Sequence, residues 1–170
     1  MKAQDVILGA RVAHVRELKA EIARLKAEVA RLGAENEELR THFSLALLAA
    51  EDMRRLPEGG RLVVVDGWNL VLAADREAGD RDDLVRQMRA YLAEHPLDFV
   101  WIVFDGSHES STVEGRLRVS YTGGVGPQRA DRMICDFLRM ARFSGDVSRI
   151  DVRTHDKGLL KAVDKLKSQN

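Results

Sequence analysis

Four aspartates in this 170-residue sequence stand where a parallel sheet would gather them. Asp66 ends the run VVVD, Asp105 ends the run VFD, and Asp156 ends RTHD. The carboxyl ends of parallel strands share one edge of a sheet, where ligands bind, and Asp131 in a predicted helical first turn can join them. Neighbouring carboxylates repel unless their pKa values rise or a cation lies among them. Because oxygen ligands select hard ions, the sequence predicts a Mg²⁺ or Mn²⁺ site.

Each aspartate alone also has an ordinary structural explanation. Asp66 and Asp105 precede glycines and can form turns, Asp131 suits the first turn of a helix, and Asp156 can be an N-cap. Asn69 can turn its amide toward a ligand or cap the next helix. The conjunction of the four acids at strand and helix ends favours a shared site.

The region from 61 to 170 alternates strands and helices. Continuous apolar runs at 62–65 and 99–104 are typical of strands covered on both faces. We predict a third strand at 117–121, with a basic face to water, and a fourth within 147–153. Helical spacing predicts helices at 80–94, 128–142 and 157–167. The pattern indicates a small α/β domain with a parallel sheet of about four strands flanked by helices.

The region from 1 to 56 has a different period. Apolar residues from 15 to 43 recur every three and four positions, with β-branched residues at a and leucine at d. This pattern is typical of a two-stranded parallel coiled coil, and Asn36 at an a position would set the dimer register. We expect a parallel homodimer through 15–43, followed by a linker at 57–60. A helix folded back on the C-terminal domain and an antiparallel pairing are the alternatives.

The charge distribution is uneven although the total is zero. Residues 57–110 carry a net charge of −6 and residues 111–170 a net charge of +5. Basic side chains near the acids are candidate phosphate contacts: Arg116, Arg118, Arg129, Arg132 and Lys157. One cysteine, no long apolar stretch and no signal-peptide core predict a cytoplasmic protein without a membrane segment.

Four motifs in order, VVVDGWN, VFDGS, ADRMI and THDKGL, resemble the NYN domain. This is a PIN-like, metal-dependent ribonuclease fold, and the YacP-like branch is the most similar. The resemblance implies that Asp66, Asp131 and Asp156 bind metal and that Asp105 lines the same cleft. It further implies supporting roles for Asn69, Thr154 and Ser107. Trp68 departs from the family pattern, since tyrosine is usual there.

The resemblance implies hydrolysis of RNA phosphodiester bonds, with Asp66, Asp105, Asp131 and Asp156 as the catalytic carboxylates. The alternative is a non-catalytic adaptor, in which a PIN-like domain binds RNA or protein and the coiled coil recruits partners. Trp68 could stack on a base, or it could cover the end of the sheet.

Overall fold

A computed structural model describes residues 3–73, 80–124 and 128–168 as two units, Met1–Phe43 and Ser44–Asn170. The elements in chain order are α1 (Ala3–Arg55), β1 (Leu62–Asp66), α2 (Gly67–Ala73), α3 (Arg81–Glu94), β2 (Phe99–Phe104), β3 (Glu109–Glu114), β4 (Leu117–Thr122), α4 (Arg129–Ala141), β5 (Ile150–Arg153) and α5 (Lys157–Lys167). A 3₁₀ turn at Val147–Arg149 precedes β5. No helix among the described residues is both long and apolar enough to cross a membrane.

The second unit is built on one five-stranded sheet in the order β3-β4-β2-β1-β5. Strands β4, β2, β1 and β5 are parallel, and β3 is antiparallel to β4. The α/β class, the mostly parallel sheet and the long N-terminal helix agree with the prediction. The carboxyl ends of β1, β2, β4 and β5 therefore lie along one edge of the sheet.

The expected count of about four strands is corrected to five, because the sequence does not reveal β3. Both faces of β3 are exposed along its whole length, so its sequence ESSTVE carries no apolar alternation. The turn at Gly115, with φ at +60°, joins β3 to β4. Thus β3, rather than a helix, returns the chain so that β4 can run parallel to β2.

Each face of the sheet is covered by helices. The apolar faces of α4 and α5 pack on one side, where Ile134, Phe137 and Val163 join Val64 and Trp101 of the sheet in one core. On the other side the buried face of α3 packs on alternate strand residues. The capping box of α3, in which Asp80 and Asp83 exchange backbone hydrogen bonds, fixes where that helix begins.

In the first unit, α1 exposes the predicted coiled-coil seam. The seam side chains whose surroundings are described are between 49% and 70% exposed: Val15, Leu18, Ile22, Leu25, Val29, Leu32, Leu39 and Phe43. An apolar stripe of this length is costly in water unless something covers it.

The boundary between the units differs from the predicted one at 57–60. It falls within α1 between Phe43 and Ser44, because the last turns of α1 belong to the core of the second unit. Leu45, Ala49 and Met53 are buried there. Leu47 is exposed on a different side of the helix.

A buried ion pair joins the end of α1 to β4. Asp52 accepts two hydrogen bonds from the Arg118 guanidinium, one of them from Nη2 to Oδ1 at 3.0 Å, and both side chains are about nine-tenths buried or more. Burial raises the pKa of Asp52, and the hydrogen bond and charge of Arg118 oppose that rise. The predicted basic, water-facing side of β4 is therefore wrong, because α1 covers it at this position.

We expect Asp52→Ala to lower the free energy of unfolding by about 3 kcal/mol, because Arg118 would stay buried without a counter-charge. The double variant Asp52→Leu/Arg118→Met should recover most of the loss, since it removes both charges. Urea unfolding of the two variants and of the exposed-site control Glu51→Ala measures these values. An Asp52→Ala variant that is as stable as the wild type would contradict the prediction.

Candidate functional site

The first acid of the candidate site is Asp66, the buried last residue of β1. Its carboxylate accepts the backbone N–H of Asn69, which caps the first turn of α2, and its Oδ2 accepts the Thr154 hydroxyl at 2.8 Å. Burial raises the pKa of Asp66; the two hydrogen bonds lower it, and the charges of Asp105 and Asp156 raise it again. The side chain is thus held in place by hydrogen bonds, and the negative charges of two other acids act on it.

Thr154 and Asn69 tie the ends of β1 and β5 together. The Thr154 hydroxyl lies 2.8 Å from Asp66 Oδ2 and 3.1 Å from Asn69 Oδ1, and it accepts the N–H of Asp156 at 3.0 Å. Asn69 Oδ1 also accepts the N–H of His155 at 2.5 Å. A hydroxyl has one hydrogen, so it can donate to only one of its two acceptors at a time. Both residues are placed to position acids.

Asp105 connects the end of β2 to the start of α4. Its Oδ1 accepts the backbone N–H of Ala130 at 2.7 Å and the Thr122 hydroxyl at 3.2 Å. The N–H of Ala130 is one of the helix-terminal donors that lack a partner within the helix. Sequence reasoning did not identify Thr122, although its place at the carboxyl end of β4 is a signal that could have found it.

Asp156 is the N-cap of α5. Its Oδ1 accepts the N–H groups of Gly158 at 2.5 Å and Leu159 at 2.9 Å. The second oxygen of this carboxylate, like that of Asp105, accepts no hydrogen bond from the described part of the chain. Asp66, Asp105 and Asp156 therefore each cap a different helix.

Asp131, in the first turn of α4, differs from the other three acids. No donor within residues 3–73, 80–124 and 128–168 hydrogen-bonds its carboxylate. Burial raises its pKa to about 6, and the charges of Asp66, Asp156 and Asp105 contribute to the rise. The four carboxylates therefore lie near enough to act on one another.

The fit of this site to a metal ion can be judged from its donors. Among the described residues, no three His, Cys, Asp or Glu side chains are placed to hold one metal ion as they stand. The acids are all hard oxygen donors, and burial together with the charges of Asp66, Asp156 and Asp105 raises the pKa of Asp131 to about 6. Asp66, Asp131 and Asp156 stay the predicted ligands of a divalent cation.

A groove of about 280 Å³ lies beside Asp131 and Asp156 between α4 and α5. Arg132 lines it, and the exposed Lys157 begins α5 next to Asp156. Arg129 is the first residue of α4, and its Nε is buried without a hydrogen-bond partner among the described residues. These three basic side chains, which were predicted as phosphate contacts, therefore lie on α4, which carries Asp131, and on α5, which Asp156 caps.

Two other predicted phosphate contacts are engaged elsewhere. Arg118 is buried against Asp52. The Arg116 guanidinium donates to the backbone carbonyls of Leu92, His95 and Asp98, which satisfies the C-terminal end of α3. Both predictions are corrected, because these guanidinium groups already bind groups of the protein itself.

The predicted supporting residue Ser107 is exposed in the loop after β2. Its carbonyl accepts the N–H of Gly124 at 3.0 Å, which joins the loops that follow β2 and β4. Its hydroxyl makes no hydrogen bond to an acid within the described chain. The structure therefore gives the Ser107 side chain no contact with the acids among the described residues.

A scan of protein-family models, a search of curated proteins and a search of solved structures each gave no match to this chain. The resemblance to the NYN domain therefore stays a prediction. Function has to be argued from the geometry of the acids.

We expect Asp131→Asn to raise the thermal midpoint at pH 7.5 in metal-free buffer. The folded pKa of about 6 lies above the unfolded value, so the wild type loses stability as pH rises through that interval. After solvent screening the gain should be about 1 kcal/mol at pH 7.5, and it should vanish near pH 4, where Asp131 is protonated.

The matched control is Asp164→Asn, which changes an exposed carboxylate on α5. Scanning calorimetry across this pH range compares the two variants. An Asp131→Asn effect that does not vary with pH would show that like-charge repulsion is not its cause.

Proposed function

We propose that this chain is a metal-dependent ribonuclease that hydrolyses RNA phosphodiester bonds at the four-aspartate site. The observation that carries the proposal is the meeting of four carboxylates at one edge of the sheet, where burial and the charges of Asp66, Asp156 and Asp105 raise the pKa of Asp131 to about 6. Repulsion among these carboxylates opposes their clustering, whereas a divalent cation would relieve it. Mg²⁺ or Mn²⁺ suits the donors.

The tethering of the acids supports a division of roles. Asp66 is held by Thr154 and the Asn69 N–H, so it provides a fixed ligand position. Asp131 has no such tether among the described residues and can reorient, while Asp156 retains its second oxygen. When bound, a divalent cation supplies activation of a water molecule and neutralises charge developing on the scissile phosphate.

The contacts of Asp105 give it a positioning role through one of its two carboxylate oxygens. Its Oδ1 is occupied by the Ala130 N–H and the Thr122 hydroxyl. These bonds hold the start of α4 against the end of β2. Asp105 thereby positions Asp131, the residue that follows Ala130 in α4. The negative charge of Asp105 adds to the attraction for a cation.

RNA is the proposed substrate because cations flank the acidic groove. Arg132 and Lys157 are exposed on α4 and α5, and both helices begin at the groove. Helix N-termini and basic side chains both bind phosphate oxygens. We therefore assign Arg129, Arg132 and Lys157 to the RNA backbone.

The exposed seam of α1 supports a parallel homodimer through 15–43. Its leucine, isoleucine and valine side chains are about half exposed or more, and a second copy would cover them. Asn36 would face its own copy across the two-fold axis and so set the register. The dimer would join two acid sites in one molecule.

One observation favours the second candidate, a non-catalytic adaptor that binds RNA or protein. Asp66, Asp105 and Asp156 each cap a helix, so three of the four acids have a structural role even without a cation. In an adaptor these capping bonds would be the whole purpose of the acids.

We expect the wild type to cleave single-stranded RNA with Mn²⁺ or Mg²⁺, and Asp66→Asn or Asp131→Asn to reduce the rate by at least about a hundredfold. Asparagine keeps the capping geometry but removes the charge. Gel analysis of a labelled oligoribonucleotide measures the rate, with Asp164→Asn as the control. Millimolar Mn²⁺ should also raise the thermal midpoint of the wild type.

If the chain is a non-catalytic adaptor, we expect the opposite result for the wild type. RNA that stays intact and a thermal midpoint that Mn²⁺ does not move would together exclude the nuclease.

We expect Leu25→Glu to convert the full-length dimer to a monomer, because it places a charge in the seam at a d position. Ala27→Glu adds the same charge at an outward-facing heptad position and should leave the dimer intact. Light scattering gives the mass of each variant. Dimers of equal stability for both would place the interface outside the seam.

A further inference from the structure

Trp68, the second residue of α2, is anchored in a fixed orientation. Its Nε1 donates to the backbone carbonyl of Asp105 at 2.7 Å, and its ring meets the Phe104 ring edge-on, with centroids 5.2 Å apart at 66°. Phe104 in turn stacks on Tyr121, at 5.5 Å and 18°. The indole therefore rests on the buried ring of Phe104 and cannot rotate without breaking a hydrogen bond.

This anchored ring is nevertheless 38% exposed. The other tryptophan, Trp101, is 1% exposed in the core and donates its Nε1 to Ser120. Because the single side-chain donor of Trp68 is already used within the protein, a ligand would meet the indole through its apolar ring atoms. The equally apolar Leu72, one helical turn later, is exposed beside it on α2. A rigid, flat, apolar surface facing water suits a planar ligand.

The position of the ring relates it to the acids. Trp68 follows Asp66 by two residues, and its hydrogen-bond acceptor is the carbonyl of Asp105. The carboxylate of that same Asp105 binds the start of α4, one residue before Asp131. A nucleotide whose phosphate lies at the acids would have its base within reach of the indole.

We propose that Trp68 is a base-stacking platform for single-stranded RNA at the edge of the four-aspartate site. The inference rests on the proposed function for the identity of the ligand. Nucleobases stack on exposed aromatic rings regardless of their sequence, since every base has a π-face. The platform therefore orients the strand next to the acids without selecting one base by hydrogen bonds.

The test measures binding separately from cleavage. Fluorescence anisotropy gives the Kd of a fluorescein-labelled 10-mer oligouridylate and of a 10-mer abasic ribose backbone, in Mg²⁺ and on an Asp66→Asn background that keeps the oligomers intact. We expect Trp68→Ala to weaken binding of the base-bearing oligomer about tenfold, the scale of one stacked base. Binding of the abasic oligomer should not change.

Two further variants separate stacking from a structural role. Trp68→Phe loses the hydrogen bond to Asp105 but keeps an aromatic face, so it should retain most of the base-dependent affinity. Phe143→Ala removes an aromatic side chain that is 88% exposed on another part of the unit and should have no effect. Circular dichroism melting checks that each variant is folded.

The outcomes distinguish this inference from the nuclease. Equal affinity for the base-bearing and abasic oligomers with Trp68 intact, or no binding of either, overturns the platform. Equal losses in Trp68→Phe and Trp68→Ala also overturn it, since they would assign Trp68 to holding Asp105. Base-dependent binding through Trp68 in a wild type that cleaves no RNA overturns the nuclease and leaves the platform standing.

Discussion

Helix capping by acids organises the edge of the sheet on which the site lies. Asp66, Asp105 and Asp156 bind the first N–H groups of α2, α4 and α5, so three helices begin at the same edge. The free N–H groups and the dipole at a helix N-terminus favour negative charge, which offsets part of the repulsion among the acids. Asp131 has no such bond within the described chain, and burial together with the charges of the other three acids raises its pKa to about 6. The same bonds thus stabilise the fold and concentrate charge.

Much of the fold follows from local patterns. The buried strands β1 and β2 were readable because both faces of each are apolar, and α5 was readable from its helical spacing. The strand β3 was not, because a strand exposed on both faces shows no pattern. The alternation of apolar and polar residues in β4 predicted two different faces but could not show what covers each face. In the structure, Asp52 of α1 pairs with Arg118 and buries it. Such contacts join residues far apart in sequence.

Part of the candidate site could be predicted from the sequence for a similar reason. The rule that strands of a parallel sheet present their carboxyl ends together was sufficient to nominate the acids. It could not give their hydrogen bonds, which depend on where α4 and α5 begin relative to the sheet. The exposure of Trp68 was also beyond the sequence, since the same residue could have covered the sheet end. Arg116 was nominated from charge alone, whereas its position beneath α3 determines what it binds.

The strand β3 leaves one side of its backbone without a neighbouring strand in the described chain. An open edge of this kind is a template for continuation of the sheet between molecules. In a symmetric antiparallel pairing of two such edges, Glu109 of each copy would stand opposite Glu114 of the other. Like charges directly across a strand pair are destabilising. The terminal glutamates of β3 therefore disfavour the pairing of two such edges.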